Sequence, residues 1–177
     1  MRIFNQNKQE IIKIKLNKNT EEKIMLKLLR VDHRMLHGQV AFSWTNNIDA
    51  DCILIANDGV ASDELRKTTM KLAKPQGVKL VIKNIADSIT ALNSGVTDKY
   101  KLFIVVESVE DAYKLTKNVS FIKSINLGGV KSKEGTRNIS KAVNLLPEEE
   151  EMLKELDKAG IEIEIRQLPT DTKVIYK

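Results

Sequence analysis

The stretch that decides the fold of this chain is Leu28-Leu29-Arg30-Val31-Asp32-His33-Arg34-Met35-Leu36-His37-Gly38-Gln39-Val40. It begins as an apolar run, continues as a short polar loop and ends as the start of an amphipathic helix. Both histidines of the chain, His33 and His37, lie in the polar loop. Arg34 lies between them, and Gly38 follows the second. The stretch therefore predicts a buried strand, a strand-to-helix turn and a helix in immediate succession.

The composition of this loop suits a histidine that carries a phosphoryl group. Histidine gains and loses a proton near neutral pH, and its neutral imidazole is a nucleophile. The start of a helix offers free N–H groups that favour an anion, and arginine binds two phosphoryl oxygens at once. We therefore predict His37 as the acceptor and Arg34 as a phosphate clamp. A histidine that only packs at a helix start and a solvated arginine are the alternatives.

The rest of the chain alternates apolar runs with helical periods. Six runs are nearly continuous in apolar residues, as in strands covered on both faces: Met25–Val31, Cys52–Ala56, Lys79–Ile82, Lys101–Val106, Ser124–Leu127 and Ile161–Arg166. Amphipathic stripes begin at Val40, Ala61, Ile85, Val109 and Met152, and the second continues through Leu65 and Leu72. This alternation predicts an α/β fold: a single-domain, open, mostly parallel β-sheet with helices on both faces.

Ligands bind at the carboxyl ends of the strands in such sheets. Three predicted loops follow strands: Asp32–His37, Asn57–Ser62 and Gly128–Thr136. If their strands are parallel neighbours, the loops meet at one edge, and we expect Asn57 and Asp58 to contact the phosphate. The start of a turn fits Asp58 as well. Gly128 and Gly129 are expected to adopt backbone conformations closed to other residues and to direct N–H groups at the phosphate, with a plain turn as the alternative.

Composition excludes several classes of protein. The chain has 177 residues, of which 42% are hydrophobic and 30% charged, which is typical of one soluble globular domain. Residues 1–23 hold six basic and three acidic residues, so only +2 of the net charge of +5 belongs to the rest, and we expect no nucleic-acid partner. The single cysteine, Cys52, excludes an internal disulfide, and two histidines without a third ligand predict no metal site. No apolar run or leader suggests export, so we expect a cytoplasmic protein.

Three runs of this sequence resemble one family, the IIB components of mannose/fructose/sorbose-type sugar phosphotransferase systems. Arg30–Val40 is similar to the family run R-[IV]-D-[DN]-R-[LM]-[IL]-H-G-Q-[VI], with His33 where an acid is usual. Asn57–Lys67 is similar to N-D-E-V-A-x-D-x-x-R-K, with Gly59 in place of the glutamate, and Ile125–Val130 contains N-[VL]-G-G. The resemblance implies a IIB domain over residues 25–177, and residues 1–24 are interpreted as an extension that is disordered or not part of the domain.

The resemblance also implies an activity and partners. A IIA protein or domain that carries phosphohistidine would pass its phosphoryl group to His37, and the group would then pass to a sugar held by membrane IIC and IID subunits. The chain would be a protein-Nπ-phosphohistidine–sugar phosphotransferase without a cofactor, bound peripherally to the inner face of the membrane through IIC and IID. A homodimer is left open. The alternative function is that of a non-catalytic α/β regulator that binds phosphate or a nucleotide.

The resemblance assigns further residues to the site. Asp32 is expected to orient Arg34 or to fix the tautomer of His37, and a role in capping the loop is the alternative. Gly38 and Gln39 are expected to bind the phosphate. His33 is either a tolerated surface substitution or an added positive charge beside the phosphate.

Overall fold

The computed structural model describes residues 25–177, without the side chains of Gln39 and Val40. The extension predicted for residues 1–24 lies outside this part. Helices and strands alternate along the described chain: β1 Met25–Asp32, α1 Gly38–Asn47, β2 Cys52–Ala56, α2 Asp58–Ala61, α3 Glu64–Ala73, β3 Lys79–Lys83, α4 Ile85–Asn93, β4 Lys101–Val106, α5 Val109–Asn118, β5 Ser124–Gly129, β6 Arg137–Ser140, β7 Val143–Leu145, α6 Pro147–Lys158, β8 Glu162–Ile165 and β9 Val174–Ile175.

The predicted α/β sheet is confirmed. Its strand order is β3-β2-β4-β1-β5-β8-β9, and every pair is parallel except β8 with β9. The central strands are apolar on both faces because helices cover both: every residue of β2 is buried. All six predicted strands are present, so apolar-rich runs were a sufficient signal for these six strands.

Two hydrophobic clusters lie on opposite faces of the sheet. Trp44 of α1 and Met70 of α3 pack in one cluster, and residues of α4, α5 and α6 pack in the other. Successive residues of a strand point to opposite faces, so Ile53 belongs to the first cluster and Cys52 and Leu54 to the second. No helix of residues 25–177 is long and apolar enough to cross a bilayer.

The structure corrects the predicted stripe that begins at Ala61. Two helices replace it, because Asp63 caps the second by accepting a hydrogen bond from the Arg66 backbone N–H at 3.0 Å. Leu65 and Leu72 are 78% and 84% exposed, so the stripe marks the wrong face of α3. The hairpin of β6 and β7 and the edge strand β9 were not predicted, since these strands have only two to four residues and short strands carry little periodicity.

Candidate active site

His37 lies at the junction between β1 and α1, at the carboxyl edge of the sheet. Its backbone is extended, and its carbonyl accepts the first helical hydrogen bond from Ala41 N at 2.9 Å. Met35 and Leu36 are buried and anchor the loop in the core. The loop is thus fixed by its apolar residues, which leaves His33, Arg34 and His37 at the edge of the sheet as the sequence predicted.

The Asp32 carboxylate organises this loop from below. It is fully buried at the end of β1, where Oδ1 accepts hydrogen bonds from Arg34 N at 3.1 Å and Arg34 Nε at 3.2 Å. Oδ2 accepts one from Arg30 Nη2 at 2.9 Å. Burial alone would raise the pKa of Asp32, but the hydrogen bonds from Arg34 and the charge of Arg30 outweigh it and hold the pKa below its usual value. Asp32 therefore holds both the backbone N–H and the side chain of Arg34, and its role in phosphoryl transfer stays a prediction.

A row of buried polar residues supports Asp32 across three strands. Arg30, Asn126 and Glu164 are in register on β1, β5 and β8. Arg30 Nη1 donates to Asn126 Oδ1 at 2.6 Å, and Asn126 Nδ2 donates to Glu164 Oε1 at 2.8 Å. Burial lowers the pKa of Arg30, although Asp32 opposes the shift, and a guanidinium stays charged near neutral pH. Buried charges persist only when paired and hydrogen-bonded, and this row supplies both conditions.

The segment after β8 completes the support. The backbone carbonyls of Arg166 and Gln167 accept from Arg30 at 3.1 and 3.0 Å. Trp44 Nε1 donates to the same Gln167 carbonyl at 3.0 Å, and the guanidinium carbons of Arg30 and Arg166 each lie 5.0 Å from the centroid of the Trp44 ring. Trp44 thereby ties α1, and with it His37, to the buried row.

The sequence predicts no role in the site for Asn126, Glu164, Arg166 or Gln167. Isolated polar residues inside apolar strands were the available signal, because a buried polar side chain needs a partner.

Gly128 and Gly129 do not adopt the special backbone conformations predicted for them, whereas their N–H contacts with the phosphate stay a prediction. Both lie in β5, and neither is among the glycines of positive φ in the described chain. Gly128 instead provides space, because an ideal Cβ there would lie 1.9 Å from Arg30 Cζ. A Cβ on Gly129 would lie 3.3 Å from Asp32 Oδ1, and the Gly129 carbonyl accepts from His33 N at 2.9 Å. Gly129 therefore borders the loop, whereas Gly128 makes room for the buried arginine.

Asn57 and Asp58 lie at the same edge but use their side chains elsewhere. β4 separates β1 from β2, so the two loops are two strand spacings apart, about 10 Å, and are not immediate neighbours. Asn57 Oδ1 caps α2 by accepting from Val60 N, and Asn57 Nδ2 donates to Asp111. Asp58 Oδ1 accepts from Ile85 N at 2.8 Å. Within residues 25–177 the structure gives neither side chain a contact with the His37 loop.

The imidazole of His37 is held in the form that can act as a nucleophile. Its Nε2 lies 3.9 Å from Asp32 Oδ2, is buried, and has no hydrogen-bond partner among residues 25–177. The side chain as a whole is 29% exposed. Burial lowers the pKa of His37, and the positive charge of Arg34 lowers it further, so the neutral ring dominates at neutral pH.

The charge of Arg34 acts on the imidazole, and Gly38 follows His37 as the first residue of α1. The Arg34 side chain is 41% exposed and is oriented by Asp32. A Cβ on Gly38 would meet nothing within 4 Å, so the start of α1 is open. The side chain of Gln39 is outside the described part of the chain. A neutral imidazole, an oriented guanidinium and an open helix start together suit the transfer of a phosphoryl group.

Comparison with known proteins gives consistent similarities. Residues 26–176 match the family model described as the sorbose subfamily IIB component of the phosphotransferase system. A probable phosphotransferase enzyme IIB component of Streptococcus pyogenes serotype M6 is 35% identical, over 85% of this chain and 96% of that protein. The crystal structure of the IIBSor domain of the sorbose permease from Klebsiella pneumoniae has a TM-score of 0.80 at 29% identity, over 85% of this chain and 92% of that one.

A fused relative adds a further similarity. The mannose-specific EIIAB component of Escherichia coli K12 is 30% identical over 85% of this chain, which spans 47% of that protein.

Proposed function

Since this chain belongs to the sorbose subfamily of IIB components of the sugar phosphotransferase system, we propose that His37 is its phosphoryl acceptor and that the group passes from there to a sugar. IIB components are phosphotransferases that work with IIA proteins and with membrane IIC and IID subunits. One observation carries the assignment to His37: a part-exposed imidazole of lowered pKa lies at an open helix start beside an oriented arginine. The alternative of a non-catalytic regulator would use none of the nucleophilic character of this ring.

The geometry favours Nδ1 of His37 as the attacking atom. Nε2 is buried and faces the Asp32 carboxylate, so a proton on Nε2 leaves the lone pair on Nδ1. This lone pair forms a bond to phosphorus as the bond between phosphorus and the donor imidazole breaks, and the released electron pair returns to the donor ring. The separation of 3.9 Å exceeds an ordinary hydrogen bond by about 0.7 Å, so Asp32 and His37 need to approach slightly as positive charge develops on the ring.

Arg34 stabilises the phosphoryl group in flight. In such transfers the negative charge is spread over the equatorial oxygens, and catalysis depends mainly on positioning and charge stabilisation. Asp32 already holds Arg34 Nε, so the guanidinium is oriented before the partner arrives and loses little freedom on binding. The backbone N–H groups of Gly38 and Gln39 at the helix start offer further donors to the phosphate.

Membership of the family supports a proposal for the partners and the location of the chain. We propose that the donor is a IIA phosphohistidine, which fits the fusion of both parts in the EIIAB relative. The recipient is a sugar bound by IIC and IID at the inner face of the membrane. In this proposal the chain acts in the cytoplasm as a protein-Nπ-phosphohistidine–sugar phosphotransferase. The transfers require one copy of the chain, and a homodimer stays a prediction.

Onward transfer provides the test. Membrane vesicles that contain the cognate IIC and IID are supplied with phospho-IIA, the full chain and labelled sorbose, mannose or fructose, the sugars for which relatives are named. We expect sugar phosphate to form with the wild-type chain and with His33→Gln, and not with His37→Gln. Equal yields from His37→Gln and wild type, with folding checked by circular dichroism, would contradict the proposal.

A further inference from the structure

A cavity lies at the β3 edge of the sheet, away from His37. It has a volume of about 230 Å³, and its floor is formed by alternate residues of β2 and β3 together with the start of β4. Cys52 pairs with Lys79 and Leu54 with Val81 in the parallel register, so all four side chains point to one face. The connection from α4 to β4 forms the opposite wall. The cavity extends along one face of β3 from Lys79 to Lys83. It is separated from the phosphoryl loop across the sheet, because β3 is three strands away from β1.

The rim of this cavity is strongly positive. Lys79, Lys83 and Lys99 line it, and no residue of the described chain that lines it is acidic. Lys79 Nζ lies 4.7 Å and Lys99 Nζ 5.3 Å from the centroid of the Tyr100 ring, so two ammonium groups converge on one aromatic side chain. Among the described residues both amines contact Tyr100, which is no counter-ion in its neutral form. Converging like charges with an apolar floor between them favour an anion at this position.

The walls provide the apolar contacts that such a ligand needs. Leu54, Val81 and Leu102 give an aliphatic surface, and Val96 at the mouth is 58% exposed. The Thr97 hydroxyl is buried in the wall without a hydrogen-bond partner among the described residues. This oxygen has almost no accessible surface, so a ligand in the cavity does not reach it, and the polar contacts come from the lysines at the rim. Ligand sites in general combine an apolar lining with a few placed polar groups.

From this combination we propose that the cavity binds a small organic anion with an apolar body, such as an aromatic carboxylate, sulfonate or phosphate ester. The apolar part lies on Leu54, Val81 and Leu102, and the acidic group meets Lys79 and Lys99 at the rim. Drug-sized pockets run from about 300 Å³ upward, so the ligand is smaller and has one or two rings. The site is separate from the phosphoryl site, and its occupation does not depend on the proposed transfer reaction.

Naphthalene-2-sulfonate is a suitable probe, and 2-naphthalenemethanol is its uncharged counterpart. Titration of the full chain by calorimetry gives affinity and stoichiometry, and backbone amide NMR shifts locate the probe. We expect one molecule of the sulfonate to bind, with shifts at Val96–Tyr100 and along β3, and weaker binding of the alcohol. The double variant Lys79→Gln/Lys99→Gln should weaken the sulfonate by about 10-fold or more because it removes both charge-assisted contacts.

Matched variants separate the site from general charge effects. Lys123→Gln removes an exposed positive charge outside the cavity and should leave the affinity unchanged. Ala91→Leu places a larger side chain in the cavity wall and should weaken the sulfonate and the alcohol alike. The proposal is overturned if millimolar sulfonate produces no shifts at the cavity, if it binds no better than the alcohol, or if the lysine variants bind it as wild type does.

Discussion

The guanidinium of Arg30 occupies the space in which residue 128 would carry a side chain. An ideal Cβ on Gly128 would lie 1.9 Å from Arg30 Cζ and 2.0 Å from Nη1. This close approach lets Arg30 reach Asp32, Asn126 and the carbonyls after β8 from inside the sheet. Gly128 and Arg30 therefore act as one unit, and this unit sets the position of the Asp32 carboxylate beneath the phosphoryl site.

Gly128→Ala should destabilise the fold strongly. The added methyl group displaces a fully buried guanidinium and leaves Asp32 without its buried partner, which typically costs about 3–5 kcal/mol. For a domain of this size such a loss lowers Tm by roughly 6–20 °C, measured by thermal circular dichroism.

Gly38→Ala is the matched control, because a Cβ there meets nothing within 4 Å. Its Tm should stay within about 2 °C of wild type, since an exposed helix start tolerates either residue. A Gly128→Ala chain as stable as the Gly38→Ala chain would show that Arg30 has an equally good alternative position.

Arg34→Gln should raise the pKa of His37. Burial and the charge of Arg34 both disfavour the imidazolium form, so removal of Arg34 makes protonation easier and moves the pKa up. As pH falls, the wild-type ring thus stays neutral to a lower pH than the ring of the variant. NMR titration of the imidazole resonances in a His33→Gln background gives the value without overlap.

The same change should affect the pH profile of phosphoryl uptake. Only the neutral ring is a nucleophile, so uptake by the Arg34→Gln variant should decline at a higher pH than uptake by wild type. A His37 pKa that stays the same or falls in Arg34→Gln would mean that Arg34 does not face the ring in solution.

Arg34→Lys should fold normally yet transfer more slowly, and Arg34→Ala should be slower still. Lysine keeps the charge but cannot hold two phosphoryl oxygens at once or keep the contact that Nε makes with Asp32. Loss of one preorganised donor costs about 10²–10³ in rate, and we expect the lower end because the side chain is 41% exposed. Rapid-quench kinetics of uptake and of onward transfer measure the effect, and wild-type rates for Arg34→Ala in both steps would assign the clamp elsewhere.

The fold was predictable because its signals are local. The run Cys52–Ala56 is apolar throughout, and the run Lys101–Val106 is apolar after its first residue; both are strands with those bounds. His37, Arg34 and Asp32 could be found because they share one loop. The row of Arg30, Asn126 and Glu164 could not be found in this way. It depends on which strands pair and in which register, and no local sequence pattern predicts either.

Gly128 likewise shows that a contact between strands cannot be predicted from a local pattern. Its φ is ordinary, and only the path of an arginine on another strand explains why a side chain does not fit there. Leu65 and Leu72 show the converse, since a helical period indicates an amphipathic face without telling whether that face meets the core.

Direct labelling tests the phosphoryl assignment most simply. The wild-type chain and the variants His37→Gln and His33→Gln are each incubated with phospho-IIA. Intact-mass spectrometry under alkaline conditions, which preserve phosphohistidine, counts the phosphoryl groups. Phosphorus–proton NMR then identifies the modified nitrogen. We predict one phosphoryl group on wild type and on His33→Gln, attached to Nδ1 of His37, and none on a folded His37→Gln chain. Full labelling of His37→Gln, or a phosphoryl group on His33 in the wild-type chain, would contradict the assignment.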